Sequence, residues 1–178
     1  MSNMWWNFKQ MRESALGSVF IFRGRSIGLD NYKSKESLSR VVMNQTFEDM
    51  KEIVRKNPFA QHIGMELLEV TEGYALGRIR LAKQYENIYG GMHGGCAYSL
   101  ADTLSGIAAS TYGEYVTTLD ASMNYLLPVE HTEYVYCKAR VLRHGRKITV
   151  VRVELLNDEQ TLLIDGSFTF YNIRKRDE

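Results

Sequence analysis

Long apolar runs are missing from this chain of 178 residues. Stretches such as Val19 to Phe22 reach four residues or so, whereas a membrane-spanning helix needs about 20, so no span is expected. Cysteine is scarce too: Cys96 and Cys137 stand 41 positions apart with no Cys-x-x-Cys pair. That excludes a dense disulfide framework and a zinc knuckle, and fits a reducing compartment such as the cytoplasm. The four histidines, His62, His93, His131 and His144, show no metal-ligand spacing, so no metal and no other cofactor is expected. Only two prolines are present, which argues against a disordered or low-complexity chain. There is also no surplus of one charge, because 22 Lys and Arg face 21 Asp and Glu, so nucleic acid is not an expected partner.

What is present is ordinary globular material, 44% apolar and 24% charged, in a length that fits one domain plus an appendage. The first 28 residues hold Lys9, Arg12, Arg23 and Arg25 against the single acid Glu13, and Trp5, Phe8, Met11, Ala15 and Val19 fall at helical spacing. This predicts a short basic amphipathic helix. It would pack Trp5 and Trp6 on the domain or a partner, or else serve as a membrane-surface contact or an organelle presequence. Thr46 before Phe47, Met50, Ile53 and Val54, with Asp49 in a capping place, predicts a helix over about 47–56. Asn57-Pro58 should stop it. Residues 1–56 are therefore read as an N-terminal extension, 57–173 as the main domain and 174–178 as a charged tail.

Within that domain, Met65 to Thr71 and Tyr74 to Leu81 read as two strands joined through Glu72-Gly73. Cys96 to Tyr112 reads as one buried helix with Leu100, Leu104, Ile107 and Ala108 on a stripe. Tyr115 to Leu126, Glu133 to Leu142, Ile148 to Asn157 and Thr161 to Asn172 read as four further strands. One long helix against a mostly antiparallel sheet is an α+β arrangement.

The segment that stands out is Asn87-Ile88-Tyr89-Gly90-Gly91-Met92-His93-Gly94-Gly95, placed directly before that helix. Four glycines in six residues permit a tight backbone of close approach. The first turn of a helix has unpaired amides and partial positive charge, so Gly94 and Gly95 are candidates to stabilise an anion or a carbonyl oxygen under attack. The competing structural reading is that the glycines only let the helix pack tightly. Asp102 lies in an otherwise apolar part of the helix, where a carboxylate is costly to bury without a partner. Beside an oxyanion-type terminus it would serve as general base or nucleophile; a structural hydrogen bond is the plainer alternative. A third feature is Lys138, Arg140, Arg143, Arg146, Lys147 and Arg152, six cations in fifteen residues without an acid among them. They suit the phosphates of a small anionic ligand, above all Arg146 and Lys147 at the turn, or else form a solvated strand face.

Asn87, His93-Gly94-Gly95 and Asp102 together resemble the PaaI-like hotdog-fold acyl-CoA thioesterases. So do Thr118 before Asp120, the Asn124-Tyr125-Leu126-Leu127-Pro128 strand end and Leu142-Arg143-His144-Gly145-Arg146; the resemblance covers about residues 57–173. It implies an α+β hotdog fold and a homodimer, further paired into a tetramer as a dimer of dimers. It also implies hydrolysis of an acyl-CoA, with the Gly94 amide polarising the thioester carbonyl and Asn87 placing substrate or water. Asp102 would be base or nucleophile, the Thr118 hydroxyl would orient it, and His93 would fix the loop.

Three rivals deserve mention on chemistry alone. Cys96 at the helix start, three residues from His93, suggests a nucleophilic thiol. The same pocket without turnover would be an acyl-CoA sensor. Hydration or dehydration of a 3-hydroxyacyl thioester is less compatible with the Asp102 arrangement. Because Gly94 and Asp102 lie about 12 Å apart along a helix, one small carbonyl cannot meet both within a chain, and a site shared across an antiparallel helix pair is expected.

Overall fold

The computed structural model describes residues 47–176, all within the unit Leu38–Glu178. The basic amphipathic helix expected in the first 28 residues lies outside them. Helix α1 (47–56) is followed by α2 (Pro58–His62), β1 (Glu66–Thr71), β2 (Tyr74–Arg80), a 3-10 turn (Lys83–Tyr85), α3 (Gly94–Ser110), β3 (Glu114–Tyr125), β4 (Tyr134–His144), β5 (Ile148–Leu156) and β6 (Leu162–Lys175). The six strands form one antiparallel sheet in the order β1-β2-β4-β5-β6-β3. The sheet wraps α3, which is the hotdog arrangement. Among the described residues no helix is long and apolar enough to cross a membrane.

The strands fall where alternation of apolar and polar residues placed them, with ends shifted by a few residues, and β6 runs on through Lys175 into the segment read as a tail. The Thr71↔Tyr74 pairing confirms the two-residue hairpin, and Gly73 takes the positive φ of +69° it requires. Leu100, Leu104, Ala101 and Ala108 of α3 are fully buried against the sheet. Each leucine contributes about 1.5–3 kcal/mol by leaving water. Gly77 of β2 makes this contact possible, since a Cβ there would sit 2.8 Å from Leu104 Cδ2.

Two features depart from the sequence reading. Asn57-Pro58 does end α1, but it also begins α2: the Asn57 side chain accepts hydrogen bonds from the Phe59 and Ala60 amides, and proline occupies the first turn, where its missing donor costs nothing. The reading assigned α1 to an extension, yet Met50 and Val54 are buried in the same core cluster as Leu100 and Leu104.

Strand β3 carries a bulge between Thr118 and Asp120. Before it, Val116 and Thr118 face α3; after it, Ala121, Met123 and Tyr125 do. An unbroken strand keeps one parity throughout, so the extra residue, Leu119, is what lets both ends of β3 present side chains to the same helix.

Candidate active site

At the N-terminus of α3 the glycine loop is held by its own hydrogen bonds. The Asn87 amide donates to Gly91 O at 2.7 Å, its Oδ1 accepts from the Tyr89 amide at 2.8 Å, and the Gly90 amide returns to Asn87 O at 3.1 Å. Asn87 Nδ2 reaches Met92 O at 3.4 Å, so the carboxamide shapes the loop while keeping a second N–H for a ligand. His93 is the N-cap of α3, and its Nδ1 accepts from the Gly95 amide at 3.0 Å. In this structure the Gly95 N–H is directed at the His93 ring. The Gly94 N–H is left without an acceptor among the described residues, and Gly94 and Asn87 line one cavity with Tyr125, Leu126 and Ile164.

Tyr125, in the Asn124–Pro128 strand end, reaches this loop from β3. Its hydroxyl donates to Gly94 O at 3.0 Å, and its ring lies so near that a Cβ on Gly94 would come within 3.3 Å of Cε1. Glycine at 94 therefore admits the ring as well as exposing the amide. Burial pushes the Tyr125 phenol above its ordinary range, which keeps it a neutral donor.

Asp102 sits eight positions further along α3, half-buried, and lines a different cavity with Thr118. The Thr118 hydroxyl donates to Asp102 Oδ1 at 2.8 Å, and Oδ2 has no hydrogen-bond partner among the described residues. Thr118 is the partner that a carboxylate in an apolar helix demands. Further walls come from Met50, Ile53 and Val54 of α1, from Asn57 beyond its end, and from Val116 and Phe170 of the sheet. No sequence signal tied those residues to Asp102, because their contact is made only by folding.

Cys96 is half-buried, and desolvation pushes its thiol up. A helix start beside His93 would have to do the opposite to make a thiolate, and His93 Nδ1 already serves the Gly95 amide. Cys137 is wholly buried and pushed up for the same reason. Among the described residues no three His, Cys, Asp or Glu side chains gather as metal ligands.

The cluster of six cations divides in two. Arg152 lies 2.9 Å from Asp165 and 3.6 Å from Glu154, Lys138 donates to Gln160, and Arg140 covers the ring of Tyr74. Each of these strand residues has a partner, and for Arg152 one of them, Asp165, is an acid on the neighbouring strand β6. Arg143 near the end of β4, and Arg146 and Lys147 at the β4–β5 turn, stay exposed. That turn is fixed by Asn172, whose Nδ2 donates to Gly145 O at 2.8 Å and whose amide donates to Lys147 O at 2.9 Å. Thr149 Oγ1 donates to Asn172 Oδ1 at 2.9 Å and so has only acceptor capacity left for His144 Nδ1, also at 2.9 Å. The histidine must carry its proton there. Its ring stacks on Tyr112 at 4.1 Å. His144 is thus a structural residue of the turn.

A single helix wrapped by six antiparallel strands, with a glycine loop feeding its N-terminus and a carboxylate in its middle, defines a hotdog-fold protein. Residues 89–164 match the thioesterase superfamily. The chain is 26% identical over 101 residues to the acyl-coenzyme A thioesterase PaaI of Escherichia coli K12, an alignment covering 57% of this chain and 72% of that one. The solved structure of the E. coli PaaI protein superposes with a TM-score of 0.72, at 20% identity and over 75% of this chain and 97% of that one. Conserved protein PA5202 from Pseudomonas aeruginosa is similar at 31% identity, TM-score 0.62, over 66% of this chain and 94% of that one. The smu.793 protein of Streptococcus mutans, solved bound to acetyl CoA, is similar at 26% identity, TM-score 0.61, over 63% and 90%. Residues 89–164 thus carry a thioesterase-superfamily match on a hotdog fold, and the chain is similar to the PaaI-like hotdog thioesterases.

Proposed function

We propose that the protein hydrolyses acyl-coenzyme A thioesters to the free acid and coenzyme A, at sites shared between two antiparallel copies of α3. The observation that carries this reading is the separation of the functional groups: Asn87 and Gly94 line one cavity, Asp102 and Thr118 another. The Gly94 amide and the Asp102 carboxylate therefore do not meet in either cavity of one chain. Pairing through β3 supplies the missing half in each case. β3 is an edge strand of twelve residues whose outer side is unpaired among the described residues, with Leu119 and Tyr125 exposed along it. A long edge of that kind is a template for another strand.

In the shared site Asp102 takes a proton from water through Oδ2 while Thr118 holds Oδ1. The resulting hydroxide adds to the thioester carbon, and the oxyanion that forms is held by the partner's Gly94 amide at the positive end of its helix. Collapse of the tetrahedral species breaks the carbon–sulfur bond and releases the coenzyme thiolate, which takes up the proton. Arg146 and Lys147, on their braced turn, are placed to meet the coenzyme phosphates. Two copies of the dimer pair further into the tetramer that the family resemblance implies, and the chain works in the cytoplasm.

A panel of acyl-CoA esters followed by release of free thiol tests the reading. Turnover with at least one ester is the expected result. Tight binding of acyl-CoA without turnover would favour a sensor instead.

A further inference from the structure

The groove that holds Asp102 does not end there. It continues along α3 over Thr103, Gly106, Ile107 and Ser110, so it runs about 12 Å from the carboxylate toward the C-terminal end of the helix, with a volume of about 360 Å³. Gly106 forms part of its floor. Glycine in a helix interior is disfavoured relative to alanine, and here the fold gives no steric reason for it: a Cβ at 106 would meet only Phe170 ring carbons, at 3.6 and 3.9 Å, an ordinary contact. The residue holds no positive φ either. What the missing side chain does provide is depth in the groove.

The opposite wall points the same way. In α1 the stripe facing the core is Met50 and Val54, both buried. Ile53 is off that stripe, 44% exposed, and lines the groove. The charged face of the helix, where Glu52 pairs with Arg55 and Lys56, carries the polar contacts with solvent. An exposed β-branched residue therefore stands at the rim of a channel that starts at the candidate base.

We propose that the acyl portion of the substrate lies in this channel between α1 and α3, with Gly106 setting its depth and Ile53 its width, so that these two residues determine acyl size. The inference rests on the thioesterase reading above, since Asp102 marks the reacting carbon only if that reading holds. With the carbonyl between Asp102 and the partner's Gly94, an apolar chain continuing past Asp102 meets Ile53, Ile107, Val116 and Phe170.

The test is kcat/KM for straight-chain acyl-CoA esters from acetyl to palmitoyl, together with branched and aryl esters such as isobutyryl- and benzoyl-CoA, on the wild type, Gly106→Ala and Ile53→Ala. Gly106→Ala should keep or raise the melting temperature, because alanine favours the helix. It should leave acetyl-CoA within about twofold and lower the longest accepted chain by about tenfold or more, the scale of one methylene in a fitted pocket. Ile53→Ala, at the exposed rim, should shift the preference toward bulkier acyl groups. If the wild type hydrolyses acyl-CoA and both variants keep its chain-length profile, the channel assignment is overturned while the thioesterase reading stands. An equal loss for every chain length, acetyl included, also overturns it, because the groove would then hold the part common to all substrates. Should the wild type hydrolyse no ester at all, both readings fall.

Discussion

The two candidate half-sites on α3 are built in opposite ways. At the N-terminus the groups on offer are backbone: a Gly94 amide without an acceptor among the described residues, a loop closed by Asn87, and a cap in which His93 takes up the Gly95 amide. In the middle of the helix it comes from side chains, Asp102 held by Thr118 across from α1. The first half-site is local in sequence and rigid through short-range hydrogen bonds. The second is assembled from α1, α3 and β3, which are far apart in the chain. β3 serves both, reaching Asp102 with Thr118 and Gly94 with Tyr125, and it does so only because of the bulge at Leu119. A backbone site tolerates side-chain change and is sensitive to loop geometry; a side-chain site is the reverse.

That contrast sets the order of expected effects. Asp102→Asn removes the base with almost no change of shape, so turnover should fall by about 100-fold or more with the melting temperature preserved. Wild-type turnover in this variant would break the comparison outright, leaving chemistry at the helix terminus alone. Thr118→Ala leaves Asp102 Oδ1 without its donor. The expected loss is about tenfold in kcat, the equivalent of one hydrogen bond to a charged group, with KM little altered. A change in KM alone would make Thr118 a binding residue instead.

Tyr125→Phe acts on the backbone half-site, where it removes the hydroxyl from Gly94 O but keeps the ring. A cost of about 1 kcal/mol or less in stability and a few-fold in turnover is expected, measured by thermal unfolding and thiol release. A loss as large as that of Asp102→Asn would mean that the tyrosine touches substrate. The smallest effect belongs to Cys96→Ala, which should retain most activity. Burial holds the Cys96 thiol neutral, so the thiolate becomes available only as pH rises beyond the ordinary thiol range. Iodoacetamide inactivation at pH 7 should be slow and should accelerate at higher pH. Rapid alkylation at neutral pH with parallel loss of turnover would restore the thiol as a nucleophile.

Much of the backbone half-site is visible in the sequence because its residues are contiguous and their types are restrictive. Glycine, asparagine and histidine in that loop have few other reasons to occur together. Asp102 shows itself as a charge in an apolar stripe, and strand alternation locates all six strands. What could not be read has a common physical cause. The partners of Arg152 are Asp165 and Glu154, one of them on the neighbouring strand, so a run of cations looked unpaired. The role of Tyr125 depends on a bulge, which changes parity without a mark in composition. The second function of Asn57-Pro58 was hidden because the pair that ends one helix also suits the start of another. The walls contributed by Met50 and Ile53 require the packing of α1, which local pattern does not specify.

The most direct measurement is complementation between inactive chains. Asn87→Ala and Asp102→Ala each damage a different half-site, so unfolding and refolding an equal mixture creates mixed dimers in which one site is wholly wild type and the other carries both lesions. With random pairing about half of the dimers are mixed and half of their sites intact, so roughly a quarter of wild-type activity should return. No recovery despite demonstrated mixed dimers would contradict the shared site, because a site built within one chain keeps a lesion in every subunit.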